Sequence, residues 1–357
     1  MDLQRFTKDV PNKNRIIMKE SALLPRFTQN NLTCRKIEGE RILSAVKGLS
    51  STGHFENLFI HGSPGSGKTA MVKWAIHKME EESRRVVCIY ANCWRYSTSM
   101  AIYSKIADAY GEPISRSGRP SDEIFDRILE LMSESKKPLL LVLDEIEALA
   151  KQDNARILHN IARVDEDHVL FGLIGISDNE AFLSKLPQKT REILRFTKIE
   201  VQPYSKNELL IILKERAAAA LRPGSYEDSL LEEIAEIGTV VRGSGRFALE
   251  ILWKAARSSE DQGLTYVSNA EIEQAKFDLD INGHGLTREE RLILELLKEG
   301  PKTSTELYTY FWNRSTRSKR QIRNYLRAMQ EKKLIEIELI MEGKRPKYSK
   351  IRLRVGS

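Results

Sequence analysis

The sequence predicts an α/β body built on a parallel sheet, then an all-helical stretch, then a small basic domain of three helices and a hairpin. Three observations predict it. Between 57 and 201 short apolar runs alternate with helical patterns, and strands that are apolar throughout belong to a parallel sheet covered on both faces. From 205 to about 280 no strand-like run occurs. The excess positive charge sits at the end of the chain: 286–357 carries 18 Lys and Arg against 9 Asp and Glu, whereas 1–285 carries 39 against 41. The expected divisions are 1–204, 205–282 and 283–357.

Ahead of the body, Ile37, Ile42, Val46 and Leu49 read as one face of a helix beside the first strand. That strand is 58–60, ending in a Gly-rich loop, and 70–82 is the next helix, with Met71, Trp74 and Met79 expected in the core. Strands follow at 85–90 (RVVCIY), 138–143 (PLLLVL), 169–176 (VLFGLIGI) and 198–201. Pro203-Tyr204-Ser205 marks the change to helix, and Gly283-His284-Gly285 reads as a linker.

Several classes are excluded. No stretch approaches the ~18–20 consecutive apolar residues of a membrane span, and the start MDLQRFTKDV has no apolar signal core. A soluble protein of the reducing cell interior is expected. The three cysteines, Cys34, Cys88 and Cys93, are odd in number and form no C-x-x-C pair, which argues against a disulfide scaffold or zinc ribbon. The histidines show no metal-ligand spacing.

Gly62-Ser63-Pro64-Gly65-Ser66-Gly67-Lys68-Thr69 fits G-x-x-x-x-G-K-[ST] in full, between a predicted strand and a helix opened by Ala70. There, successive main-chain N–H groups wrap a phosphate and the helix dipole assists. Lys68 is expected to reach the β- and γ-phosphates of ATP or GTP, and the Thr69 hydroxyl to hold Mg2+. The third strand ends in Asp144-Glu145. Asp144 is the expected Mg2+-linked carboxylate and Glu145 the group that orients the attacking water.

Taken together, GSPGSGKT, LLLVLDEIEAL, GLIGIS and GSGRFALEILWKAA resemble the AAA+ initiator ATPases of archaea, relatives of the large subunit of the origin recognition complex and of the cell-division-cycle loader protein. The resemblance runs from about residue 24 to 355, and VQPYSKNELLIILKERA and the terminal domain are its more specific parts. It implies an AAA+ P-loop core with a helical lid and a winged helix, binding ATP/ADP with Mg2+ and duplex DNA at origin-like repeats. It further implies support for helicase loading in the cytoplasm, at the nucleoid, with a replicative helicase or further copies of the chain as partners. Arg246 in GSGRFAL matches the lid arginine that touches the γ-phosphate, drawn in by its charge. Arg35 in LTCRKIEGE matches a position near the adenine pocket.

Two positions depart from that family's pattern. Asp178-Asn179 reverses the usual Asn-Asp order after the sensor strand. An anionic Asp178 would repel the γ-phosphate, and Asn179 serves only if the strand end shifts by one residue. Lys189 replaces the usual arginine finger, with Arg191 and Arg195 as substitutes, and a lysine lacks the guanidinium fork. Slow hydrolysis by a switch is expected. The alternatives are a paralogous transcription or stress regulator and a clamp-loader or transposition-type ATPase.

In the basic region helices are expected at 287–298, opened by a capping box at Thr287, at 304–312 and at 316–332, with hairpin strands at 334–340 and 348–354. This is the pattern of a winged helix-turn-helix. On the third helix Ile322, Tyr325, Leu326 and Met329 share the core side, while Arg317, Arg320, Asn324 and Arg327 lie opposite, with Arg323 on the flank. Such arginines pair with guanine or phosphates, and Asn324 with adenine. Lys344, Arg345 and Lys347 at the wing tip would meet the DNA backbone or minor groove. Tyr308, Tyr310, Phe311 and Trp312 are expected in the core.

Overall fold

The computed structural model describes residues 15–24, 32–51, 55–83, 85–113, 120–152, 156–164, 170–241, 243–279, 288–298, 300–314, 319–331, 334–342 and 345–353. They form two compact units, Met1–Ala275 and Lys276–Ser357.

In the first unit, α1 (Lys36–Ser51) precedes β1 (Leu58–Gly62), α2 (Lys68–Glu82), β2 (Val87–Asn92), α3 (Ser99–Ala109), α4 (Ser121–Ser135) and β3 (Leu139–Asp144). Then come α5 (Glu147–Gln152), α6 (Arg156–Ile161), β4 (Phe171–Ser177), α7 (Phe182–Lys185), α8 (Gln188–Leu194) and β5 (Thr197–Val201). The strands make one parallel sheet in the order β2-β3-β4-β1-β5. Successive side chains point to opposite faces, so each strand feeds two cores. Phe59, Leu141 and Leu173 pack with α3, α4 and α6 on one face. Leu58, Ile60, Val142 and Ile174 pack with α1 and α2 on the other. Every residue of β3 is buried, as its unbroken apolar run requires. Asp144 pairs in register with Ile176, and His61 with Ser177, so β1, β3 and β4 end along one edge of the sheet. Ligands of open α/β sheets bind at such an edge.

On α1 the buried stripe is Gly39, Ile42, Val46 and Leu49. Ile37, expected on it, is 83% exposed. At about 100° per residue it lies about 140° around the helix from Ile42. On α2, Met71 and Met79 are buried as expected, and Trp74 packs half-buried beside them.

The helices α9 (Lys206–Ala220), α10 (Asp228–Val240), α11 (Gly245–Asp261) and α12 (Asn269–Asp278) follow β5. A capping box starts α9 directly after the sheet, Glu208 N donating to Ser205 Oγ and Ser205 N to Glu208 Oε2. Residues 15–24, grouped from sequence with 1–204, pack on these helices. Ile17 bridges Leu221, and Arg222 N donates to Ile16 O at 2.8 Å. The N–H groups of Ile16 and Ile17 both donate to Glu260 Oε1, at 2.7 and 2.8 Å. A 3-10 turn at Glu20–Leu23 buries Ala22 and Leu23.

The second unit contains α13 (Arg288–Lys298), β6 (Lys302–Thr303), α14 (Ser304–Arg314), α15 (Lys319–Glu331), β7 (Ile335–Glu342) and β8 (Arg345–Leu353). Its sheet is antiparallel in the order β6-β8-β7. The core joins Ile293, Leu297, Leu307, Phe311, Ile322, Leu326, Met329, Ile335 and Ile351, with Tyr308, Tyr310 and Tyr325 half-buried against it. The hairpin strands run further than expected, because pairing continues through Met341 with Pro346 and Glu342 with Arg345. The expected linker Gly283-His284-Gly285 and the cap at Thr287 lie outside the described residues, as does the Trp312 side chain.

Candidate functional site

The Gly-rich loop leaves β1 and turns back into α2 at the edge where β3 and β4 also end. Gly65 and Gly67 have φ of +79° and +98°, which L side chains adopt at a cost. Space forbids them as well: a Cβ on Gly65 would stand 2.1 Å from Ser244 Oγ, and one on Gly67 2.3 Å from the Tyr204 hydroxyl. The lid helix α11 therefore closes directly on the loop, and Gly245 N donates to Gly65 O at 3.1 Å. A cleft opens between loop and lid, bordered by Pro64, Gly65, Gly67, Lys68, Thr69, Ala70, Asp144, Glu145 and Arg246. Gly62, Ser63 and Ser66 do not border it; the Gly62 and Ser63 carbonyls accept from Lys68 Nζ at 2.8 and 2.9 Å. The hydroxyls of Ser63 and Ser66 are buried with no hydrogen-bond partner among the described residues.

Asp144 is 4% exposed, and its carboxylate accepts three hydrogen bonds from described residues. Thr69 Oγ1 and the Tyr90 hydroxyl donate to its Oδ2 at 2.8 and 2.5 Å, and Glu145 N to its Oδ1 at 3.0 Å. Glu145 follows with φ +54°. Burial, then the neighbouring charges of Asp144, Glu147 and Asp178, hold its carboxyl above its ordinary pKa, and Arg246 opposes them. Arg246, at the start of α11, thus reaches the cleft from the lid side.

Arg35 lies beside the cleft, over the Tyr204 ring that borders it. It is 4% exposed and does not border the cleft. Its guanidinium lies over the Tyr204 ring, 4.1 Å from the centroid, and donates to Ser66 O, Cys34 O, Gln202 O and Glu208 Oε1. It is a latch behind the loop, joining loop, β5 exit and α9.

β4 ends at Ser177, and Asp178 and Asn179 follow it directly. Asp178 faces the cleft and accepts from Lys68 Nζ at 2.8 Å. Asn179 Oδ1 instead accepts from Ala181 N at 2.8 Å and caps the next turn. Lys189, Arg191 and Arg195, in and just after α8, are exposed and stand away from the cleft.

Sequence reasoning missed Tyr90, Ile212, Arg216 and Leu249. Tyr90 reaches Asp144 from the neighbouring strand, where it is in register with Val142. Ile212, buried Arg216 and Leu249 line the lid side of the cleft. The one signal was the i, i+4 spacing of Ile212 and Arg216, which a helix places on one face.

In the second unit Arg323, Asn324 and Arg327 are exposed on α15, opposite buried Ile322, Leu326 and Met329. They border a shallow groove with Ser304 and Tyr308 of α14 and Ser349 of β8. Arg320 lies on α15 and Arg345 and Lys347 on β8, with side chains outside the described residues. Arg317 and Lys344 lie wholly outside them.

The chain matches the family described as AAA domain over residues 53–182 and that described as Cdc6 AAA+ ATPase-type lid domain over 211–277. It is similar to ORC1-type DNA replication protein 1 of Haloarcula marismortui, 30% identical over 306 residues that cover 77% of this chain and 70% of the relative. ORC1-type DNA replication protein 2 of Methanothermobacter thermautotrophicus is 25% identical over 372 residues, 99% of this chain and 98% of the relative. The Aeropyrum pernix ORC1 protein, solved in complex with DNA, has the same fold at a TM-score of 0.67 and 22% identity, covering 95% of this chain and 94% of that one. With its parallel sheet, helical lid and Gly-rich loop, the chain belongs to the ORC1/Cdc6 family of AAA+ ATPases.

Proposed function

We propose that this chain is an ATP-regulated replication initiator whose C-terminal winged helix grips duplex DNA at origin-like repeats and which supports helicase loading. The observation that carries the nucleotide half is the meeting of Thr69, Asp144, Glu145 and Arg246 around one phosphate loop. The residues fit the ligand: the loop admits no side chain at Gly65 or Gly67, and Thr69 and Asp144 offer the oxygen donors that Mg2+ prefers. Bound there, Mg2+ would neutralise phosphate charge. Lys68 would bind the terminal phosphates, Glu145 orient the water, and Arg246 report the γ-phosphate to the lid. Ile212 and Leu249 give the lid side an apolar surface for a base. Turnover is slow in this reading, because phosphoryl transfer depends on positioned charge and Asp178 adds an opposing one.

The DNA half rests on Arg323, Asn324 and Arg327, an exposed polar face on a helix whose other side is core. The Aeropyrum relative binds DNA, which supports the reading. No described helix is long and apolar enough to cross a membrane, and we place the chain in the cytoplasm at the nucleoid. A paralogous regulator is the second reading, favoured by Asp178 standing where the family carries asparagine. Genome-wide mapping of bound sites, with the wild type and Lys68→Ala, separates the two. Occupancy at origin repeats that depends on Lys68 is expected. Promoter occupancy alone favours the regulator, and a chain that ignores both nucleotide and duplex overturns the proposal.

A further inference from the structure

We propose that Asp178 is a specificity-determining residue that biases the cleft toward adenosine diphosphate over triphosphate, by holding Lys68 where a third phosphate would need it. The inference rests on the nucleotide reading above and concerns the same cleft. Lys68 has three N–H protons, and three acceptors take them: Gly62 O, Ser63 O and Asp178 Oδ1, at 2.8, 2.9 and 2.8 Å. Two are main-chain carbonyls of the loop. The third is a charged carboxylate on a different strand end, and it is the one a phosphate oxygen competes with directly.

The surroundings sharpen the competition. β3 and β4 end side by side, so Asp178 shares its edge of the sheet with Asp144 and Glu145. The β-phosphate of a diphosphate takes one N–H of Lys68 and leaves another for Asp178. A triphosphate adds a second phosphate at Lys68, so that its terminal charge must displace Asp178 or sit beside it. Either route costs affinity for the third phosphate alone. The Asp178 side chain is 46% exposed, so water and salt moderate the repulsion without removing it. Asparagine at this position keeps the shape, removes the charge and adds an N–H donor.

The test measures binding of Mg2+·ADP and of Mg2+ with a non-hydrolysable ATP analogue to the full chain by titration calorimetry. Asp178→Asn should raise the triphosphate-to-diphosphate affinity ratio about tenfold. Asp178→Glu, which retains the charge, should stay within about threefold of wild type. Asp178→Ser replaces the asparagine variant if the latter does not melt cooperatively. A ratio unchanged or lowered by loss of the charge overturns the proposal, as does an equal rise in the glutamate variant. Failure of the wild type to bind either nucleotide would instead bring down the nucleotide reading itself.

Discussion

Lys68 is buried at 7% exposure and gripped by two loop carbonyls and Asp178, so its loss removes both a ligand group and a loop fastener. Lys68→Ala is expected to lower nucleotide affinity by a hundredfold or more (about 3 kcal/mol, as for a charged hydrogen bond), read by calorimetry. Glu145→Gln should leave affinity near wild type and suppress hydrolysis at least about hundredfold, as loss of a water-orienting base does; phosphate release measures it. Arg35→Ala takes one partner from Glu208, whose Oε2 keeps its Ser205 bonds, and frees the Tyr204 ring. It should destabilise the chain by about 1–2 kcal/mol, seen as a lowered Tm, because the loop loosens while every cleft-facing group stays in the chain. Lys68, Thr69, Asp144 and Glu145 were legible because their chemistry is written in contiguous motifs. The role of Arg35 was not, because Gln202 and Glu208, its partners, lie far along the chain. Tyr90 was hidden likewise, since strand order rather than spacing brings it to Asp144.

Among the elements, α15 makes the firmest prediction. Its buried and exposed faces are separated cleanly, so Arg323→Ala with Arg327→Ala should spare folding and weaken duplex binding. The slope of log affinity against log salt should flatten by about 2, measured by fluorescence anisotropy across a salt series. An unchanged slope would place the DNA contacts elsewhere. The helix was readable because its apolar residues recur at the helical period, and β3 because it is buried on both faces. β6 carried no such mark: two polar residues, Lys302 and Thr303, become a strand only because β8 offers an edge. The extra length of β7 and β8 was masked for the same reason, since Arg345 and Pro346 read as turn residues until a partner strand is present.

On the scale of the whole molecule, the nucleotide cleft depends on elements from the beginning, middle and end of the first unit. The lid meets the phosphate loop through Gly245 and Gly65, and residues 15–24 in turn bind α9 and α11. Glu260, 5% exposed, depends on the amides of Ile16 and Ile17 for the hydrogen bonds to its Oε1. A protease that released residues 1–24 would therefore leave Glu260 buried with no partner at its Oε1 and only Arg257 at its Oε2. The clipped protein should lose about 3 kcal/mol, and hydrogen exchange should show the four-helix region opening first while the parallel sheet stays protected. An early nick would then act at a distance, disabling the cover over the nucleotide without touching a single residue that holds it.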